Sequence, residues 1–405
     1  MHVPLEEPRR MPDVCFYFQV HQPRRLRRYS VFETEPTYFD DETNSRILRR
    51  VAQKCYMPAT ALLMRQIERH GDRFVIAFSL TGQVIEQMMR WTPEVIDQFR
   101  KLAQTGCVEF LSETYDHSLA SLYSPEDFEH QVRRHDELID DLFGQTPTVF
   151  RNTELIYNND LVNTLTHFGR FRGVLAEGVD ALLKGRSPNH VYLSPTTPPL
   201  PILLKNHRLS DDLAFRFSDS SWPHYPLKPG TYAHWLAEAS GNIVNLFIDF
   251  ETFGEHQWEQ TGIFGFLEHL PDAILSTGSR FLTPSQAIER HDPAGTYDAP
   301  QVTSWADTER DISAWQGNAM QSAALQELYA IESAIKATRD PDLIKDWHAL
   351  STSDHFYYMC TKYYADAAVH AYFNPYESPY DAYINYMNVL DNLKGRLEAA
   401  TSPSA

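Results

Sequence analysis

The stretch Ile243-Val244-Asn245-Leu246-Phe247-Ile248-Asp249-Phe250-Glu251-Thr252-Phe253-Gly254-Glu255-His256 decides the fold. It opens as a short, almost unbroken apolar run rich in β-branched and aromatic side chains, the pattern of a strand buried on both faces. It then ends abruptly on a carboxylate. Similar runs recur at residues 14–20, 74–80, 108–111, 148–151, 173–176, 215–217 and 280–282. The segments 57–70, 93–105, 125–143 and 159–168 carry apolar residues at three and four spacing, with Pro or Ser/Asp near their starts, and read as helices. Strand and helix therefore alternate over about 290 residues, which predicts a mostly parallel sheet with helices outside. Seven or eight strands over that length favour a barrel above an open doubly wound sheet.

Working outward, 187–201 reads as a long loop excursion and 291–300 as a boundary. Beyond Thr303 the strand signal stops. Residues 314–339, 341–373 and 379–399 read as three helices of a closing bundle, with 401–405 frayed. The expected division is a catalytic barrel over 1–302 and a helical domain over 303–405.

Of the 405 residues 42% are apolar, enough for a large core, and 54 acidic against 36 basic residues give a formal net charge of -18. Such a surface disfavours binding to phosphate backbones, so no nucleic-acid partner is expected. Apolar runs fall far short of the ~20 residues of a membrane span, and Met1–Glu7 carries acids and a proline where a secretory leader needs bases. A cytoplasmic protein is expected. Cys15, Cys55, Cys107 and Cys360 show no metal-binding spacing and read as reduced core residues. No Gly-rich nucleotide motif follows any strand, so no cofactor is expected.

Most of the carboxylates must be solvated, so those at strand ends in apolar surroundings carry the functional reading. Two qualify. Glu154 follows Thr148-Val149-Phe150-Arg151-Asn152-Thr153, and Asp249 ends the opening stretch. Catalytic groups of parallel barrels sit at the carboxyl ends of strands, so both should face one mouth. Arg151 or Arg216 could keep Glu154 ionised, while apolar burial would keep Asp249 protonated. A pair of structural, salt-bridged carboxylates is the bland alternative. His21-Gln22-Pro23 closes the first strand and offers either a turn or ligand contacts, and Glu109-Phe110-Leu111-Ser112-Glu113-Thr114-Tyr115-Asp116-His117 runs another strand into titratable groups. Trp222, in an aromatic loop, and Trp315, at the start of the first late helix, are either stacking platforms or packing plugs. The run Arg24-Arg25-Leu26-Arg27-Arg28 reads as a solvated loop.

Taken in order, His21-Gln22-Pro23, Gly106-Cys107-Val108-Glu109, the Glu154 segment, Asp249-Phe250-Glu251-Thr252-Phe253-Gly254 and Asp311-Ile312-Ser313-Ala314-Trp315-Gln316-Gly317-Asn318 resemble glycoside hydrolase family 57, the retaining α-glucan-active family. Cys107 departs from the family's more usual glutamine. The resemblance implies an incomplete (β/α)7 barrel followed by a helical domain that contributes to the cleft. It also implies Glu154 as nucleophile and Asp249 as general acid/base, acting on an α-glucan or maltooligosaccharide without a metal. His21, Gln22, Glu109, Glu113, His117, Arg216, Trp222, Glu251, His256 and Trp315 are the candidate substrate contacts. The expected activity is α-amylase-like hydrolysis of α-1,4 bonds, with 4-α-glucanotransfer or branching as the alternative outcome of the same chemistry. A deacetylase using His21, His117 and an Asp as metal ligands, and a non-catalytic glucan-binding protein, are the rivals from other classes.

Overall fold

The computed structural model describes residues 11–362 and 374–402. The expected fraying therefore falls partly outside the described residues, since 403–405 are beyond them, as do the N-terminal leader reading and the end of the helix expected over 341–373.

Eight strands form one sheet: β1 (Asp13–Val20), β2 (Ile76–Leu80), β3 (Val108–Phe110), β4 (Val149–Arg151), β5 (Gly173–Glu177), β6 (Val191–Leu193), β7 (Pro201–Lys205) and β8 (Ile243–Asp249). The order is β3-β2-β1-β8-β7-β5-β4, parallel throughout, with β6 added antiparallel to β7. Seven parallel strands thus curl towards a barrel. The two ends meet at Ser112, whose N–H donates to Val149 O at 3.0 Å and whose carbonyl accepts from Arg151 N at 2.8 Å. The ring is thin on its other side, where β7 and β8 share a single residue pair, Lys205 with Asn245. This is the incomplete (β/α)7 barrel expected.

β1 and β8 lie at the centre because their side chains can be buried on both faces, every residue of β1 being buried. On the helix-facing side Phe16, Phe18, Phe78, Phe250 and Phe253 pack edge to face or tilted, with centroids 4.5 to 6.4 Å apart. Each such contact adds about 0.5–1.5 kcal/mol beyond area burial. Strand register sets Gln19 of β1 beside Asp249 of β8. Helices begin directly beyond β2 and β7 on capping side chains, Thr81 accepting from Val84 N and Asn206 from Leu209 N, and the helix after the Glu154 turn is capped by Asn158, which accepts from Leu161 N. Each cap is worth about 1 kcal/mol. Gly254 is required where the chain leaves β8, because its φ is +117° and a Cβ there would stand 1.9 Å from Lys54 O.

Five local expectations fail. Residues 215–217 are no strand but the exit of the helix His207–Ala214, and 280–282 makes only the bridge Phe281 to Val14. The excursion at 187–201 contains β6 and the first residue of β7, hidden because β6 is three residues long and β7 starts on a proline, which a strand tolerates at its first position. The helix expected over 314–339 breaks into Ser313–Gln316, Ala319–Ala330 and Glu332–Thr338, because Asn318 and Gln321 form a capping box that starts a new helix. Residues 341–357 likewise split into Pro341–Leu350 and Ser353–Tyr357, and the last helix is Pro379–Thr401. These helices build their own apolar cluster around Trp315, Trp347 and Tyr386, which also takes in Leu26, Tyr29, Leu119 and Ile156 from loops of the barrel. Among the described residues no helix is long and apolar enough to cross a membrane.

Candidate active site

The cleft lies at the carboxyl ends of the strands, with a volume of about 500 Å3. Glu154 and Asp249 both line it, together with His21, His117, Glu251 and Trp305. The two carboxyls are close enough for the charge of Glu154 to act on Asp249.

Glu154 sits just past β4, in a single 3-10 turn, with φ +56°. A glutamate in the left-handed region is strained and persists only where its surroundings hold it. Here they do. Trp305 N donates to Glu154 O at 3.2 Å, and the Trp305 ring Nε1 donates to Glu154 Oε2 at 2.6 Å. Trp305 is delivered by an antiparallel bridge, Tyr157 with Thr303, that ties the 303–305 segment to the chain just beyond Glu154. From the other side His117 Nε2 donates to Glu154 Oε1 at 3.0 Å. His117 is itself left-handed, with φ +52°, and its carbonyl accepts from Ser353 N at 2.9 Å.

Behind His117 stands Glu113, wholly buried, its Oε2 3.7 Å from His117 Nδ1 and 3.9 Å from Arg151 Nη1. Gln19 Nε2 also reaches Glu113, at 3.3 Å. Burial alone would lower the His117 pKa, but the nearby carboxylate of Glu113 and the hydrogen-bonded one of Glu154 raise it to about 9. Burial would likewise raise Glu154, and the His117 bond and charge, with Arg151 and the Trp305 N–H, outweigh it and hold its carboxyl below the ordinary carboxylate range. Glu154 is therefore ionised at neutral pH.

Asp249 is treated in the opposite sense. Burial at the end of β8 pushes it up to about 6, and the negative charge of Glu154 adds to that rise against Arg151, Lys205 and His117. Glu251 lies two residues on, bonded by Tyr56 Oη–H and by His21 N at 3.3 Å. Burial and the Asp249 charge lift it to about 8. His21 stacks on His117, ring centroids 3.9 Å apart, with Nδ1 2.9 Å from Thr81 Oγ1 and Nε2 donating to Asp354 Oδ2 at 3.0 Å.

Of the expected contacts, His21, Gln22, His117, Glu251, His256 and Trp315 line the cleft. Glu113 backs His117 and does not reach the cavity wall. Glu109, Arg216 and Trp222 are not brought there. Glu109 is held inside β3 by Ser285 N and Oγ, each at 3.0 Å, because the start of the helix Pro284–Arg290 offers donors to an acid. Arg216 pairs with Asp212 at 2.6 Å and donates to Arg208 O, so the cations near Glu154 are His117 and Arg151. Trp222 packs against His224 and Trp235, a packing plug. Sequence reasoning missed Trp305, Lys205 and Asp354. Trp305 lies between Arg151 and Lys205, each 5.0 Å from its ring centroid. The ligand atoms of His21, His117 and Asp354 lie within 4.8 Å of one another. In this arrangement His21 Nε2 is bonded to Asp354 and His117 Nε2 to Glu154, so two of the three groups already serve the hydrogen bonding around Glu154.

The model of the family described as Glycosyl hydrolase family 57 matches residues 15–300. A Methanocaldococcus jannaschii protein named "Putative alpha-amylase" is 39% identical over 93% of this chain and 83% of its own length. The fold is similar to the branching enzyme of Pyrococcus horikoshii, with TM-score 0.67, 15% identity and coverage of 96% of this chain and 90% of that one. It is also similar to the 4-alpha-glucanotransferase of Thermococcus litoralis, with TM-score 0.65 and 16% identity over 86% of this chain, which spans only 56% of that longer enzyme.

Proposed function

Because the chain belongs to glycosyl hydrolase family 57, we propose that it is an α-glucan-active enzyme that cleaves α-1,4-glucosidic bonds with retention, Glu154 being the nucleophile and Asp249 the general acid/base. The observation that carries the assignment is the opposed treatment of two carboxyls in one cleft. Glu154 is held ionised by His117, and Asp249 is held protonated into the mildly acidic range.

In the first step Glu154 attacks the anomeric carbon while Asp249 gives its proton to the departing glycosidic oxygen, leaving a β-linked glycosyl-enzyme. As the negative charge of Glu154 is spent in the new bond, Asp249 loses the neighbour that kept it protonated. It then takes a proton from water or from an acceptor hydroxyl, and the product leaves with its original configuration. The left-handed backbone of Glu154, pinned by Trp305 and His117, fixes the direction of attack.

Hydrolysis is the first reading, by the name of the Methanocaldococcus relative. Glucan transfer and branching remain the alternatives, carried by the solved structures of similar fold. Four buried free cysteines support a reducing, cytoplasmic setting. Incubation with soluble starch and maltoheptaose separates the outcomes. Reducing ends without elongation mean hydrolysis, longer chains mean disproportionation, and new α-1,6 linkages mean branching. Glu154→Gln should abolish whichever is seen; activity that survives it, or that thorough chelation removes, refutes the assignment.

A further inference from the structure

A second cavity of about 220 Å3 opens between the helix Gly82–Trp91, the helix Pro125–Phe143, the loop before His117 and the late helix Pro341–Leu350. It shares a wall with the active cleft. Asp116 lines it and His117, the next residue, lines the cleft. Gln87 lines it and donates from Nε2 to Gln22 O at 2.8 Å, while Gln22 lines the cleft.

The polar groups of this cavity are unbalanced. Asp116 and Gln83 are only 4% and 5% exposed, and Asp116 Oδ2 and Gln83 Oε1 have no hydrogen-bond partner among the described residues. Arg134 Nη1 stands 3.8 Å from Asp116 Oδ2, beyond hydrogen-bonding reach. A buried acceptor left unmade costs about 1–3 kcal/mol, so two of them in one wall call for a ligand that donates. Around them stand Arg24, Arg134 and the exposed Lys345, with one further acid, Glu86, that already accepts from Arg134 Nη2 at 2.9 Å and Tyr115 Oη at 2.7 Å. Trp91 adds an aromatic surface, with the Arg90 guanidinium, paired to Asp41, 5.0 Å from its ring centroid.

That set selects among ligand classes. A divalent cation would face four bases, Arg24, Arg90, Arg134 and Lys345, against the two acids Glu86 and Asp116, and a simple anion would leave both unpaired acceptors unpaired. A pyranose meets every demand: hydroxyls that donate to Asp116 and Gln83 and accept from Arg134 and Lys345, and an apolar ring face for Trp91. The volume suits one ring. We propose that this cavity is a second, non-catalytic sugar site that takes a terminal glucosyl unit. The choice of glucose as the sugar rests on the glucan reading above. The site is linked to the cleft at one further point, through Gln83, which donates to Thr352 Oγ1 two residues before Asp354.

Calorimetric titration of maltotriose into the catalytically silent Glu154→Gln protein tests this. Two binding events per chain are expected, and Arg90→Ala with Lys345→Ala, both exposed positions chosen to spare folding, should weaken one of them at least tenfold and leave the other unchanged. Unaltered thermal melting confirms that the variant is folded, and Trp91→Ala should repeat the result independently. A single event that none of these substitutions alters overturns the second site. Inorganic phosphate, titrated alone and saturating the Arg90/Lys345-dependent event, overturns the assignment to a sugar. No event of any kind contradicts the glucan reading itself and removes the ground for glucose here.

Discussion

Glu154 and Asp249 are the same functional group in the same cleft, and their surroundings treat them in opposite ways. Glu154 accepts from a cationic histidine and an indole N–H, with Arg151 behind. Asp249 is given an apolar strand, the charge of Glu154 and, two residues on, a second acid that is itself raised to about 8. The difference teaches that the roles are assigned by what stands around each carboxyl. The donors of one arrive from the loop at 114–118 and the segment at 303–305; the burial of the other is built into β8.

The largest break in that comparison is Glu154→Gln, which removes the proposed nucleophile and leaves its holders in place. A loss in kcat on the order of 10^6-fold is expected, the scale seen when a catalytic nucleophile is deleted. Asp249→Asn should cost about 10^2- to 10^4-fold on glucans, the range of a general acid/base. Its first step should survive with a glycosyl fluoride, whose leaving group needs no proton. The same residue sets the alkaline side of the pH profile. Asp249 must be protonated to act, so kcat/KM should fall as pH rises through about 6, roughly tenfold per unit. That limb should be missing in Asp249→Asn.

Removing the holder rather than the held group sharpens the comparison. His117→Gln takes away the charge-assisted bond that keeps Glu154 ionised, worth about 1.5–3 kcal/mol, or roughly ten- to a hundredfold in rate. The sign is diagnostic: with the cation gone the Glu154 pKa rises, so the acidic limb should move to higher pH, and the limb near 6, which the His117 charge holds down more weakly, should move up by less. The smallest effect belongs to Asp354→Asn. His21 loses an ionised acceptor but keeps a hydrogen-bonding one, and an effect of about fivefold on kcat/KM follows from a net change near 1 kcal/mol.

What could be read from the amino-acid order follows the same division. Asp249 was legible because its environment is local: an apolar run of neighbours in sequence is also its burial in space. Glu154 was legible as a carboxylate at a strand end, but its holders were only partly so. His117 lies in a strand-to-loop run that points at it, whereas Trp305 and Asp354 come from beyond residue 300 and gain meaning only when a bridge to Tyr157 and a stacked His21 place them. Lys205 was hidden by a strand that begins on proline inside an apparent loop. Glu109, Arg216 and Trp222 misled for a related reason. Each has the right chemistry near a strand or an aromatic loop, and each spends it on a partner away from the cleft: Ser285, Asp212 and Trp235.

The most direct test of the assignment is to trap the intermediate. Incubated with a 5-fluoro-α-glucosyl fluoride, which slows both steps but spares the good leaving group of the first, the protein should gain the mass of one glycosyl unit. Peptide mapping should locate it on Glu154. A label on Asp249 or on any other residue, or release of product with inverted configuration and no adduct, would contradict the account.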